Sequence, residues 1–142
     1  MQPTGECVFC AIIAGRSPAS LVYEDERVIA FMSIVPITPG HVLVVPRRHA
    51  AGLAELDEPT GQHLFGVSMR LAQTLRQSGL RCEGINLFLA DGAAAFQDVF
   101  HVHMHVFPRF EGDGFTVDAD WSHVPDRAEL DRIAALLRQA SA

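Results

Sequence analysis

The sequence is poor in the features that mark nucleic-acid binders, membrane proteins and disulfide scaffolds. Its longest run of cations is the pair Arg47-Arg48, and eleven basic against seventeen acidic residues leave a net charge of −6. Nucleic acid is therefore not expected as the main partner, because a phosphate backbone is bound by clustered positive charge. No apolar run approaches the roughly twenty residues that span a bilayer, so no membrane partner is expected either. The opening "MQPTGECVFC" lacks the charged and apolar regions of a secretory signal, and a cytoplasmic location is the expectation. Three cysteines are too few for a disulfide framework. Repeats, low-complexity tracts and linkers are missing as well. The 142 residues, 49% hydrophobic and 20% charged, read as one globular domain spanning 1–142, with residues 1–6 as a flexible lead.

What is present alternates between strand and helix periods. A short helix is predicted over residues 7–14. "LVYEDERVIAFM" reads as a hairpin, with Leu21, Val22 and Tyr23 before a Glu24-Asp25-Glu26 turn and Val28 to Phe31 after it. "SIVPITPG" is a turn-rich loop, and "HVLVVP" is a buried strand closed by Pro46. Leu64, Val67, Leu71 and Leu75 recur at helical spacing, with Asp57 as the cap and Gly79 as the stop. "GINLFLA" is a strand and "DGAAAFQD" a small-residue loop. A last helix over 126–140 pairs Asp126 with Glu129 as a capping box and carries a stripe of Leu130, Ile133, Ala134 and Leu137. Short turns between strands predict an α+β fold: an antiparallel sheet of about five strands with a central and a C-terminal helix.

The chemistry concentrates in "FHVHMHVFPR", residues 100–109. Alternate residues of a strand share a face, so His101, His103 and His105 line up about 6.7 Å apart while Val102, Met104 and Val106 form a core face. Pro108 has no N–H to give a ladder, so the strand is predicted to end near Phe107. Imidazole ligates metals, moves protons and attacks electrophiles. A zinc ion held by these three alone is strained, since neighbours on one strand converge on a single ion only with help from another element. A central nucleophile flanked by two helpers fits the symmetry better. Cys7-Val8-Phe9-Cys10 supplies half of a tetrahedral metal site, or else two buried free thiols.

"HVHMHVF" resembles the histidine-triad motif of the HIT superfamily of nucleotidyl hydrolases and transferases. "CVFCAIIAG", "TPGHVLVVPRRH" and "GINLFLADGAAAFQDVFHVHMHVFPR" resemble further blocks of its bacterial members, in order along the chain. The resemblance implies a purine nucleotide or nucleotide conjugate as partner. It implies that His103 attacks the α-phosphorus of a nucleoside phosphoramidate, dinucleoside polyphosphate or related conjugate, giving a nucleotidyl-histidine that water hydrolyses. His101, His105 and His41 are the other active-site histidines it implies, with His105 and Gln97 as donors to the phosphoryl oxygens. It further implies a structural Zn2+ held by Cys7, Cys10, His49 and His101. A homodimer is implied too, for which helix Leu64 to Leu75 and strand Ile85 to Leu89 offer an interface.

The chain departs from the family's pattern around the pocket. Phe96-Gln97-Asp98 stands where many relatives have Gly-Gln-Ser or Gly-Gln-Thr, and a carboxylate cannot donate to phosphate as a hydroxyl does. Ser33 occupies the place of an Asp or Asn that binds ribose. Ala90, or its neighbour Asp91, takes the place of an Asn or Gln near the phosphate. Two other readings remain at this stage: a nucleotide-binding regulatory or scaffold protein with little turnover, and a hydrolase using zinc-activated water, which a closed four-ligand site does not favour.

Overall fold

Five short strands alternate their side chains between two unlike neighbours. The structure, a computed structural model, describes residues 6–141; the expected flexible lead falls, except for Glu6, outside the described residues. Strands β1 (Leu21–Glu24), β2 (Val28–Met32), β3 (Val42–Pro46), β4 (Gly84–Leu89) and β5 (Met104–Arg109) form one sheet in the order β1-β2-β3-β5-β4. Every neighbouring pair is antiparallel. The α+β architecture is the one expected, with helices α1 (Val8–Ile13), α2 (Glu58–Gln77) and α3 (Arg127–Ala140).

One face of the sheet belongs to α2. Val28, Ala30, Val42, Val44 and Val106 pack against Leu64, Val67, Leu71 and Leu75, each fully buried apolar side chain contributing about 1.5–3 kcal/mol relative to exposure. The helix starts where Asp57 accepts hydrogen bonds from the Thr60 amide and hydroxyl at 3.1 and 2.7 Å. It stops at Ser78, followed by Gly79 at φ +86°. The Leu64, Val67, Leu71 and Leu75 stripe is spent on the core, which leaves the outward side of this helix segment for the expected dimer face. Phe65 and Met69 are the apolar residues that α2 leaves outward, 48% and 58% exposed.

The other face carries Ile29, Phe31, Leu43 and Val45, covered by Cys7 and Phe9 with Val99 beside them. α1 thus shields only part of this face, and the uncovered part becomes the cleft described below. The β1–β2 turn is pinned to α2 through Asp25. One of its oxygens takes the Arg27 and Val28 amides, and the other meets Tyr23 Oη at 2.7 Å and His63 Nε2 at 2.6 Å. These bonds hold the Asp25 carboxyl well below the usual range even though burial opposes them.

Two expectations need correction. The ladder of β5 begins at Met104, so of the three imidazoles expected on one strand only His105 is in it while His101 and His103 precede it, because the Val102 amide donates to Ala50 O at 2.8 Å instead. The strand also runs through Pro108 to Arg109. Arg109 O accepts from the Glu83 amide on the β4 side, so Pro108 faces β3, whose ladder with β5 has already ended at Val42↔Val106. No N–H is needed there, and Pro108 O accepts the buried Thr38 hydroxyl at 2.7 Å. The Asp126 cap of α3 forms, accepting from the Glu129 amide at 2.9 Å, but Leu130, Ile133, Leu136 and Leu137 stay exposed. No helix among the described residues is long and apolar enough to cross a membrane.

Candidate functional site

The alternating histidines divide between two sites. His101 points its Nδ1 at the N-terminal cysteines, 3.4 Å from Cys7 Sγ and 3.6 Å from Cys10 Sγ. His49, from the segment after β3, places its Nδ1 3.1 Å from His101 Nδ1 and 3.4 Å from Cys10 Sγ. The four donor atoms lie within 4.8 Å of one another. A tetrahedral zinc with bonds of about 2.0–2.3 Å separates its ligands by about 3.3–3.8 Å, so the donor set and its spacing fit that ion. His101 Nε2–H donates to Pro46 O at 2.7 Å, which leaves Nδ1 as the lone-pair nitrogen and aims the ring. Burial pushes the Cys10 thiol above its usual value, and Cys7 adds to the shift. A divalent cation reverses that preference by binding both sulfurs as thiolates.

His103, His105 and His41 line the cleft on the same face, a cavity of ≈ 470 Å³ walled by Phe9, Ile12, Phe31 and Leu43. Backbone groups set each tautomer. His103 Nδ1–H donates to His101 O at 2.8 Å, so its Nε2 carries the lone pair. The Ile37 amide donates to His41 Nδ1 at 3.0 Å, and His41 Nε2–H therefore donates to His105 Nδ1 at 2.9 Å. The hydrogen of His105 is thereby placed on Nε2. Burial, reinforced by the neighbouring His103, pulls both His41 and His105 down to about 4, so the pair is neutral near pH 7, as this relay requires.

The remaining expected site residues separate into those at the cleft and those outside it. Ser33 and Asp98 line it. The Ser33 hydroxyl accepts from the Val35 amide at 3.3 Å, and Asp98 Oδ1 stands 3.7 Å from His103 Nε2. Gln97 does not reach the cleft: its amide donates to Ala51 O and Val99 O at 2.7 and 3.1 Å and accepts from Gly92 N at 2.8 Å. With its donors engaged inside the loop, Gln97 braces the turn before the histidines instead of donating to a ligand. Ala90 is buried outside the cleft, and Asp91 accepts from the Leu53 amide at 3.3 Å. Phe96 holds φ +70° with its side chain 84% exposed. Not anticipated from the sequence were Phe9, Ile12, Phe31 and Leu43 as cleft walls, since apolar residues at strand and helix periods read as ordinary core. Phe9 meets His103 edge-on, ring centroids 5.1 Å apart.

The chain is thus an α+β protein whose sheet offers one face to a helix and presents clustered, backbone-oriented imidazoles on the other. The HIT domain family model matches residues 14–112, and the chain belongs to the HIT family. It is 41% identical to an uncharacterized HIT-like protein of Mycobacterium tuberculosis over 96% of this chain and 93% of that one. Among solved structures it resembles a Zn-bound histidine triad family protein from Mycobacterium smegmatis. That likeness has 43% identity and a TM-score of 0.75 over 95% and 96% of the two chains. It also resembles a histidine triad nucleotide-binding protein from Candida albicans, with 28% identity and a TM-score of 0.85 over 95% and 96%.

Proposed function

We propose that the protein is a nucleotidyl hydrolase or transferase acting at the α-phosphate of a nucleotide conjugate, with His103 as nucleophile. The observation that carries the reading is the pairing of two tautomers: a bare Nε2 on His103 beside an Nε2–H on His105, both set by backbone hydrogen bonds at the cleft. In the first step His103 Nε2 forms a bond to phosphorus. The bond from phosphorus to the leaving group breaks, and the departing group keeps the electron pair and takes up a proton. In the second step water oxygen bonds phosphorus, the P–Nε2 bond breaks with its pair returning to Nε2, and the proton shed by water balances the one taken up earlier. His105 Nε2–H donates to the phosphoryl oxygen as charge builds on it. His41 touches no substrate in this scheme and is a positioning residue, holding the His105 tautomer. The apolar walls exclude water and receive the base. Support from kinship is the nucleotide-binding relative from Candida albicans.

Cys7, Cys10, His49 and His101 would hold a structural zinc, a reading supported by the donor spacing and the Zn-bound relative. Zinc with four protein ligands has no open position for substrate; when bound it would tie the α1 segment to the segment that carries His101 and His103. Gln97, Ala90 and Asp91 have no direct part in this mechanism, and Ser33 is left as the polar group toward the sugar. For assembly we propose a homodimer through the outward Phe65 and Met69 of α2 and the free edge of β4, with Phe88 44% exposed on it. Light scattering should report twice the chain mass. The test of the mechanism is a rapid quench with an adenosine phosphoramidate, followed by mass detection of an acid-labile adenylyl group on His103. Turnover without any adduct on that residue defeats it.

A further inference from the structure

Asp98 is the one charged side chain among the described residues lining the cleft. Its Oδ1 lies 3.7 Å from His103 Nε2, the atom that approaches phosphorus in the mechanism above, and a reacting phosphorus must come within about 3–3.5 Å of that nitrogen. The carboxylate and the phosphoryl group are therefore neighbours. Asp98 is 79% exposed in its side chain against 3% for His103, so it spans the boundary between the buried nucleophile and solvent that a leaving group has to cross. Its hydrogen-bond donor is the Val99 amide, at 2.9 Å, and no arginine lines the cleft. The sequence contains no lysine at all. A cleft of this kind has nothing with which to offset a string of phosphates.

From this we infer that Asp98 determines specificity by charge, admitting nucleotide conjugates whose leaving group carries an ammonium or a neutral amine and disfavouring leaving groups that are anionic, polyphosphates included. The inference rests on the nucleotidyl-transfer reading and narrows its substrate class. The α-phosphate charge is common to every conjugate, so only the charge beyond it discriminates. An ammonium within reach gains a charge-assisted hydrogen bond to the carboxylate. An added negative charge about 4 Å away in a partly solvated cleft loses on the order of tenfold or more.

The experiment compares kcat/KM for three adenosine 5′-phosphoramidates of equal leaving-group length, ending in an ammonium, a methyl and a carboxylate, together with diadenosine tetraphosphate. Wild-type protein should prefer the ammonium-ended over the carboxylate-ended conjugate by at least about tenfold, and diadenosine tetraphosphate should rank with or below the latter. Raising the salt concentration should compress the ratio. Asp98→Asn keeps the shape and the bond from the Val99 amide while removing the charge, and should bring the ratio below about threefold. A purely structural role for Asp98 would change all substrates alike and leave the ratio standing. A ratio near one in the wild type, or one that Asp98→Asn does not move, overturns the charge filter and leaves the nucleophile reading intact. Absence of turnover and of adduct with every conjugate overturns both.

Discussion

His101 and His103 are two residues apart in the segment that leads into β5, meet the same Phe9 ring, and face different sites. His101 turns its free nitrogen toward two sulfurs and a second imidazole, while His103 turns its own toward a cleft. The difference lies in the backbone carbonyl each ring donates to. His101 gives its Nε2–H to Pro46 O and keeps Nδ1 bare; His103 gives its Nδ1–H to His101 O and keeps Nε2 bare. Two identical side chains close together in the chain present opposite bare nitrogens, according to which nitrogen a main-chain oxygen has already taken.

Breaking this comparison at the cleft should have the largest effect. His103→Ala removes the proposed nucleophile, and turnover should fall on the order of a thousandfold or more while zinc content stays at that of wild type. Steady-state kinetics beside metal analysis reads both quantities; a variant with full turnover sinks the assignment. Breaking it at the other imidazole should move stability first. His101→Ala or Cys10→Ser should lose the metal and several kcal/mol of stability, since binding energy at a structural site is folding energy. At roughly 3–5 °C per kcal/mol for a domain of this size, the melting point should drop by at least about 10 °C, as it should on chelating the wild type. If chelation leaves the melting curve unmoved, the four-ligand reading fails.

Acid sharpens the comparison through His41 and His105, both pulled down to about 4 in the folded protein against about 6.5 when unfolded. Between those values the unfolded chain binds more protons, so the stability these rings contribute is complete above about pH 6.5 and is lost as pH falls toward 4. For the coupled pair the loss should be on the order of 3 kcal/mol. Denaturant titrations across that window measure it, and a flat profile contradicts the buried neutral relay. Asp25 and Asp113, both held below the usual carboxylate range, extend the decline to lower pH. The smallest expected effect is at Phe96. Its left-handed backbone strains a bulky residue by about 1–2 kcal/mol, part of which Gly returns through the flexibility of the unfolded chain. Phe96→Gly should thus stabilise by about 0.5 kcal/mol, read as a small rise in the denaturation midpoint; destabilisation would mean that the exposed ring has a packing role.

Much of this was legible along the chain. The period of two through Val102, Met104 and Val106 put the imidazoles on one side and the core on the other, and Asp57 and Gly79 marked the ends of α2 because their signals are local. The missed elements depended on distant partners. Pro108 has no N–H and so signals a strand end in the sequence, but β3 ends before reaching it and no donor is needed there. Gln97 was read as a phosphate donor because of its place before the triad; the loop takes its amide through Ala51 O, 46 residues away.

By itself the sequence determined the family, the row of three imidazoles that runs into β5, and a cysteine pair spaced to share an ion. Those follow from residue type and short-range periodicity, which depend on nothing outside the segment. Only the tertiary structure decided which nitrogen of each ring is bare, and that the relay partner of His105 is His41, 64 residues away. A side-chain pattern fixes the face on which a ring emerges. The carbonyl or amide that meets it there is supplied by a part of the chain whose position is settled only when the sheet has assembled.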